Sequence, residues 1–87
     1  MKAPAVSVVM SEYNTKTEYL IASISSILNQ TFVNFEFIIV DDCGENDVSK
    51  VVSGFKDKRI VVIENKKNMG LVKSLNKAIS QARAEYI

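Results

Sequence analysis

Two adjacent carboxylates, Asp41 and Asp42, end the apolar run "FEFIIV" and precede the small turn "CGEND". A carboxylate accepts hydrogen bonds and attracts cations, so the pair could hold a metal, read a nucleotide or cap a turn. Successive strand side chains point to opposite faces, so both cannot serve one ligand unless the chain has already turned. The expected division is one structural and one ligand-facing carboxylate. A ligand-facing carboxylate suits a ribose hydroxyl or the N3–H of uracil. Magnesium or manganese needs converging carboxylates plus phosphates, which makes these two alone a weak metal site. A second group follows the run "VSVVM": the Ser11 hydroxyl, the Tyr13 ring and the Asn14 amide. The ring could stack on a nucleobase or pack over the following helix, and Asn14 suits an Asx turn. Lys73 and Lys77, one helical turn apart, could reach a diphosphate or stay solvated. Cys43 reads as a small buried residue, because nothing nearby lowers the pKa of its thiol.

Composition narrows these options. The chain has 87 residues, enough for one small domain, and its 47% hydrophobic content suits a globular fold. It has no histidine and one cysteine. That excludes an internal disulfide, a Cys/His zinc site and a Ser-His-Asp triad within the chain. No apolar run approaches a membrane span, and the N-terminal run is too short for a secretory leader, so the expected location is cytoplasmic. The first 47 residues carry two lysines against seven carboxylates, and the rest carry nine basic residues against three. The cations are scattered without interleaved aromatics, which reads as solvated helix faces and not as a nucleic-acid surface.

The elements that position these groups follow from periodicity. Val6–Met10, Phe35–Val40 and Ile60–Ile63 are apolar, β-branched runs expected as buried strands. Leu20, Ile24, Ile27 and Leu28 mark one helical face, with Thr15 and Glu18 at capping-box spacing and an end near Asn29–Thr31. Val48, Val51, Val52 and Phe55 mark a short second helix with Asn46 as its expected N-cap. Leu71, Val72, Leu75, Ala78, Ile79 and Ala82 mark a third, entered through a turn at Gly70. Glu85–Ile87 reads as the approach to a fourth strand. Strands alternating with helices imply a Rossmann-like three-layer α/β/α parallel sheet, order 3-2-1-4. Ligands in such sheets bind beyond the carboxyl ends of the strands where the order reverses, which is beside strand 1. Ser11–Asn14, Asp41–Cys43 and the loop Glu64–Gly70 are placed there. The segment after strand 1, "SEYNTKT", has no glycine, so a dinucleotide fingerprint and a Walker A loop are both absent.

Taken in order, "VSVVMSEYN", "SISSILNQTFVNFEFIIVDD", "NMGLVKSLNKAI" and "ARAEYI" resemble the N-terminal part of family 2 glycosyltransferases of the GT-A fold. The resemblance covers nearly the whole chain and implies a partial GT-A fold over residues 1–87. It implies transfer of a sugar from a nucleotide-diphosphate donor, UDP-linked in many members, to an acceptor with inversion. This chain would be the nucleotide-binding half, inactive alone. By resemblance the nucleotide-binding residues are Ser11, Tyr13, Asp41, Asp42 and Lys73. Tyr13 would stack on the base, Asp42 would hydrogen-bond it, Asp41 would support the turn or contact the nucleotide, and Lys73 would approach the diphosphate. No catalytic residue is assigned.

Departures are visible. Ser11 stands where proline is common, "DDCG" replaces "DDGS", Leu75 stands where arginine is frequent, and a glycine expected near Ala84 is missing. The family's D-x-D motif, which holds Mn²⁺ or Mg²⁺, is expected beyond Ile87, so the metal ligands would lie outside this chain. Family members build cell-surface polysaccharides, which implies membrane-proximal work. The alternative is a non-catalytic α/β module that binds a nucleotide or a protein, its incomplete sheet edge inviting pairing with another copy.

Overall fold

The computed structural model describes residues 4–30 and 34–87; Thr31, where the first helix was expected to fade, lies outside them. The elements run β1 (Val6–Glu12), α1 (Thr17–Leu28), β2 (Phe35–Asp41), α2 (Val48–Ser53), β3 (Ile60–Glu64) and α3 (Leu71–Gln81). Each strand continues slightly past its apolar run, to Glu12, Asp41 and Glu64. These three residues are direct partners across the parallel sheet.

The strands pair in the order β1-β2-β3, all parallel. An isolated parallel bridge joins Val6 to Tyr86 on the other side of β1. This is the expected 3-2-1 order, with the chain returning toward a fourth position.

Alternation along β2 builds the two faces. Phe35, Phe37 and Ile39 pack with Leu20 and Ile24 of α1 and Val48 of α2. Ile38 and Val40 pack on the other face with Ala78 of α3. Apart from Glu36 and the terminal Asp41 the central strand is therefore apolar, as suits a strand covered on both faces.

Three local expectations are corrected. The capping box does not form: Lys16 is the N-cap of α1 and no side chain caps it. The Thr15 N–H instead donates to Glu12 Oε1 at 3.0 Å. The cap of α2 is Asp47, which accepts from the Lys50 N–H, and not Asn46. Asn46 is turned inward by Glu12. On α3 the buried positions are Ser74 and Ala78, while Leu71, Val72 and Ile79 are exposed. Small residues let this helix approach the sheet closely, and its larger apolar residues are left on the outside.

One buried acid ties the C-terminal segment to the sheet. Glu36 accepts from the Ser7 hydroxyl and from the Arg83 N–H and Nε, and the Ala84 N–H donates to Ser7 Oγ. Charge-assisted bonds of this kind compensate the cost of burying a carboxylate.

Candidate functional site

The carboxyl ends of the strands release three loops on the α3 side of the sheet. Ser11 and Tyr13 come from the end of β1, Asp42 follows β2, and the loop after β3 runs from Asn65 to Gly70. Together they form a cleft of about 370 Å³, lined by Ser11, Tyr13, Thr15, Asp42, Asn68, Gly70 and Leu71. A larger hollow of about 630 Å³ lies around the first turn of α1, among Asn14–Glu18, Glu45 and Asn46. It is a polar surface without Ser11, Tyr13 or Asp42, so volume alone does not mark the site.

Asp42 is the hub of the cleft. It is only 2% exposed, yet its carboxylate has four donors. Oδ1 accepts from the Met69 N–H at 2.7 Å and Asn65 Nδ2 at 2.9 Å. Oδ2 accepts from the Gly70 N–H at 2.9 Å and Asn68 Nδ2 at 3.0 Å. Gly70 reaches this geometry at φ 88°, in the left-handed region that favours glycine, and it is also the N-cap of α3. The Met69 N–H holds the Asp42 carboxyl below its ordinary range; burial opposes this, and Asn65, Gly70 and Ser74 add to the lowering. About four acceptor directions exist on a carboxylate, and the β3–α3 loop uses them all.

Tyr13 presents its ring to the cleft at 51% exposure. Its loop is held by contacts to the turn after β2. Asn14, at φ 54°, accepts from the Glu45 N–H at 2.7 Å, so its amide bridges two loops and does not close a local Asx turn. Asn46 Nδ2 donates to Glu12 Oε1 and to the Thr15 carbonyl.

Thus Ser11, Tyr13 and Asp42 converge, and Asp41 and Lys73 stand outside the cleft. Asp41 points to the α1–α2 face, as strand alternation requires, and its Oδ1 accepts from the Cys43 N–H at 3.2 Å. Burial pushes the Asp41 carboxyl up; the Cys43 N–H opposes this, and the Glu12 and Glu64 charges reinforce it. Lys73 is exposed on α3. Lys77 is committed to the protein, donating to Asn65 Oδ1 at 2.8 Å. Cys43 is exposed and not buried, because the turn places it at φ 61° beyond the sheet.

Sequence reasoning missed Asn65 and Asn68. The available signal was a pair of asparagines flanking two lysines in "ENKKNMG", directly after a strand end and before a glycine. Among the described residues, no group of three or more acidic, cysteine or histidine side chains could hold a metal ion. Glu12, Asp41 and Glu64 share a row without forming such a group.

The profile of the family described as glycosyl transferase family 2 matches residues 7–87, almost the whole chain. The chain belongs to glycosyl transferase family 2. A glycosyltransferase of Methanocaldococcus jannaschii is 46% identical to this family 2 chain over 90 residues, covering 100% of the chain and 31% of the relative. The Escherichia coli UDP-Glc:alpha-D-GlcNAc-diphosphoundecaprenol beta-1,3-glucosyltransferase WfaP is 35% identical over 82 residues, covering 94% and 32%. The chain therefore spans about a third of the length of these relatives. A Pyrobaculum calidifontis mannosyltransferase, solved with GDP-Man and Mn²⁺, superposes with a TM-score of 0.79 at 20% identity, over 93% of this chain and 25% of its own. At that identity the likeness establishes the GT-A fold of this family 2 portion. No described helix is long and apolar enough to cross a membrane.

Proposed function

We propose that this chain is the nucleotide-binding portion of an inverting sugar transferase, and that the cleft between Tyr13 and Asp42 takes the nucleoside of a nucleotide-diphosphate sugar. One observation carries the reading. Ser11, Tyr13 and Asp42, from two different strand ends, meet in one cleft at the carboxyl edge of a parallel sheet, where α/β folds place ligands.

In this reading the Tyr13 ring stacks on the base. The Ser11 hydroxyl donates to or accepts from the nucleoside. Of the four donors on Asp42, the Asn68 amide belongs to an exposed side chain. A base N–H takes its place on Oδ2, exchanging one neutral donor for another, and leaves the buried bonds from Asn65 and the loop backbone intact. Lys73, on the exposed side of α3, approaches the diphosphate electrostatically. Asp41 acts through the turn that carries Asp42. The relative WfaP is named for UDP-Glc, which favours uridine.

The divalent metal of the full-length enzyme takes its ligands from outside these residues, and so does the group that deprotonates the acceptor hydroxyl. The 87-residue chain alone therefore binds nucleotide without transferring sugar.

The test is an NMR titration of the chain with UDP and, separately, GDP. UDP should shift Ser11, Tyr13 and the Asn68–Gly70 amides, and Asp42→Ala should abolish those shifts. Tyr13→Ala should weaken binding about tenfold, the worth of one stacked base. If neither nucleotide shifts the cleft at millimolar concentration, the assignment fails.

A further inference from the structure

The polar chain behind the cleft has a direction that the site description does not use. Lys77 Nζ donates to Asn65 Oδ1 at 2.8 Å. An ammonium has only donors, so this contact forces the carboxamide oxygen of Asn65 toward α3. Asn65 Nδ2 must then turn away from Lys77, where it donates to Asp42 Oδ1 at 2.9 Å and to Ser74 Oγ, earlier on α3, at 3.1 Å. Rotated by half a turn, Asn65 would set its oxygen against the Asp42 carboxylate, acceptor against acceptor. Asn65 is buried, so water cannot substitute for a lost partner.

We propose that Asn65 and Lys77 are positioning residues of the nucleotide cleft. Lys77 fixes the orientation of the Asn65 carboxamide. Asn65 then holds Asp42, and through it the backbone of Met69 and Gly70 that forms the α3 wall of the cleft. The proposal rests on the nucleotide reading for its functional consequence, and on geometry alone for its structural one. It gives a lysine that sequence spacing could assign to a diphosphate a different task, since one of its donors is already engaged inside the protein.

The experiment reads both consequences on the same chain. Without ligand, the Asp42 carboxyl carbon and the Met69 and Gly70 amides are followed by NMR through an acid titration. Lys77→Met should raise the Asp42 midpoint and move both amides, and Lys77→Arg, which keeps a donor, should restore them. A bare charge effect of Lys77 would persist without Asn65. The cycle of Lys77→Met with Asn65→Ala should therefore be strongly non-additive, with Lys77→Met having little effect once Asn65 is gone. With UDP, Lys77→Met should weaken binding about threefold to tenfold, the range of one lost hydrogen bond. Unchanged Asp42 and amide signals in Lys77→Met, or an additive cycle, overturn the proposal. If wild type binds no nucleotide, the functional reading falls and the ligand-free cycle still decides the positioning claim.

Discussion

Asn46 Nδ2 lies 2.6 Å from Glu12 Oε1, joining the end of β1 to the turn after β2 across 34 residues of sequence. Glu12 is 1% exposed, and its other oxygen, Oε2, has no partner among the described residues. The carboxylate therefore depends on two donors to one oxygen, Asn46 and the Thr15 N–H. The same tie steadies the loop that carries Tyr13.

Removing Asn46 should thus be costly for a partly exposed loop residue. Asn46→Ala leaves a buried carboxylate with one donor and should destabilise the fold by about 1–3 kcal/mol. Asn46→Asp should cost more, because it replaces a donor with a like charge. Urea unfolding measures both, and the midpoint should fall with an unchanged slope. Wild-type stability in Asn46→Ala would mean that water reaches Glu12.

Glu36 makes stability depend on pH in a predictable direction. Burial pushes its carboxyl up, but the Arg83 N–H, the Ser7 hydroxyl and the Arg83 guanidinium outweigh burial, leaving it below the ordinary 4.5. A carboxyl lowered by folding stabilises the native state above its ordinary value, and the gain is lost as pH falls through the folded value. Glu36→Gln should destabilise the protein near neutrality by about 1–3 kcal/mol, since the amide presents donors where Ser7 and Arg83 donate. The gap between variant and wild type should narrow in acid. A gap that is constant with pH would show that shape, and not charge, is what matters at this position.

Much of this architecture was legible in the sequence because apolar periodicity reports burial directly. "FEFIIV" is hydrophobic on both faces because β2 is central, and the 3-2-1 order follows from short crossovers. Stacked against that, α3 misled: Leu71, Val72 and Ile79 are apolar yet exposed, while Ser74 and Ala78 are buried. Hydrophobicity scales mark large side chains, whereas close packing on a sheet selects small ones. The caps failed for a different reason. Thr15 and Asn46 have the right chemistry for capping, but the buried Glu12 competes for both. Glu12 lies 34 residues from Asn46, out of reach of spacing rules, and three residues before Thr15, on the strand side of the helix start where a capping box does not look. The opposite facing of Asp41 and Asp42 was readable from strand alternation, but the four donors on Asp42 were not, since they all come from the β3–α3 loop, 23 to 28 residues further along the chain.

Gly44 should be intolerant of any side chain for a reason that ties the two loops together. A Cβ there would lie 2.6 Å from Asn14 Oδ1 and 2.9 Å from the Asn14 backbone nitrogen. One of those atoms is backbone and cannot swing away, and Asn14 already sits at φ 54°. Gly44→Ala should destabilise by about 1–3 kcal/mol and break the Asn14–Glu45 bond. Gly54→Ala is the matched control. Its nearest new contact is an ordinary 3.4 Å and its φ is −66°, so it should be neutral or stabilising by about 0.5 kcal/mol. Equal effects at both sites, read by thermal unfolding, would refute the steric account.

The clamp on Asp42 should survive acid better than an ordinary aspartate would. The Met69 N–H is the largest influence holding its carboxyl below the ordinary 3.8. The ionised form is therefore favoured by folding, and the loop bonds persist as pH falls through 3.8 and fail only beneath it. The Met69 and Gly70 amides should keep their neutral-pH chemical shifts and exchange protection down to that value. Asp42→Asn should lose both at every pH, because an amide has one acceptor oxygen for four donors. Nucleotide affinity should follow the amides, holding in wild type wherever they hold and falling at least about tenfold in Asp42→Asn. Midpoints at or above 3.8 for these two amides would mean that the carboxylate is not what closes the β3–α3 loop over the cleft.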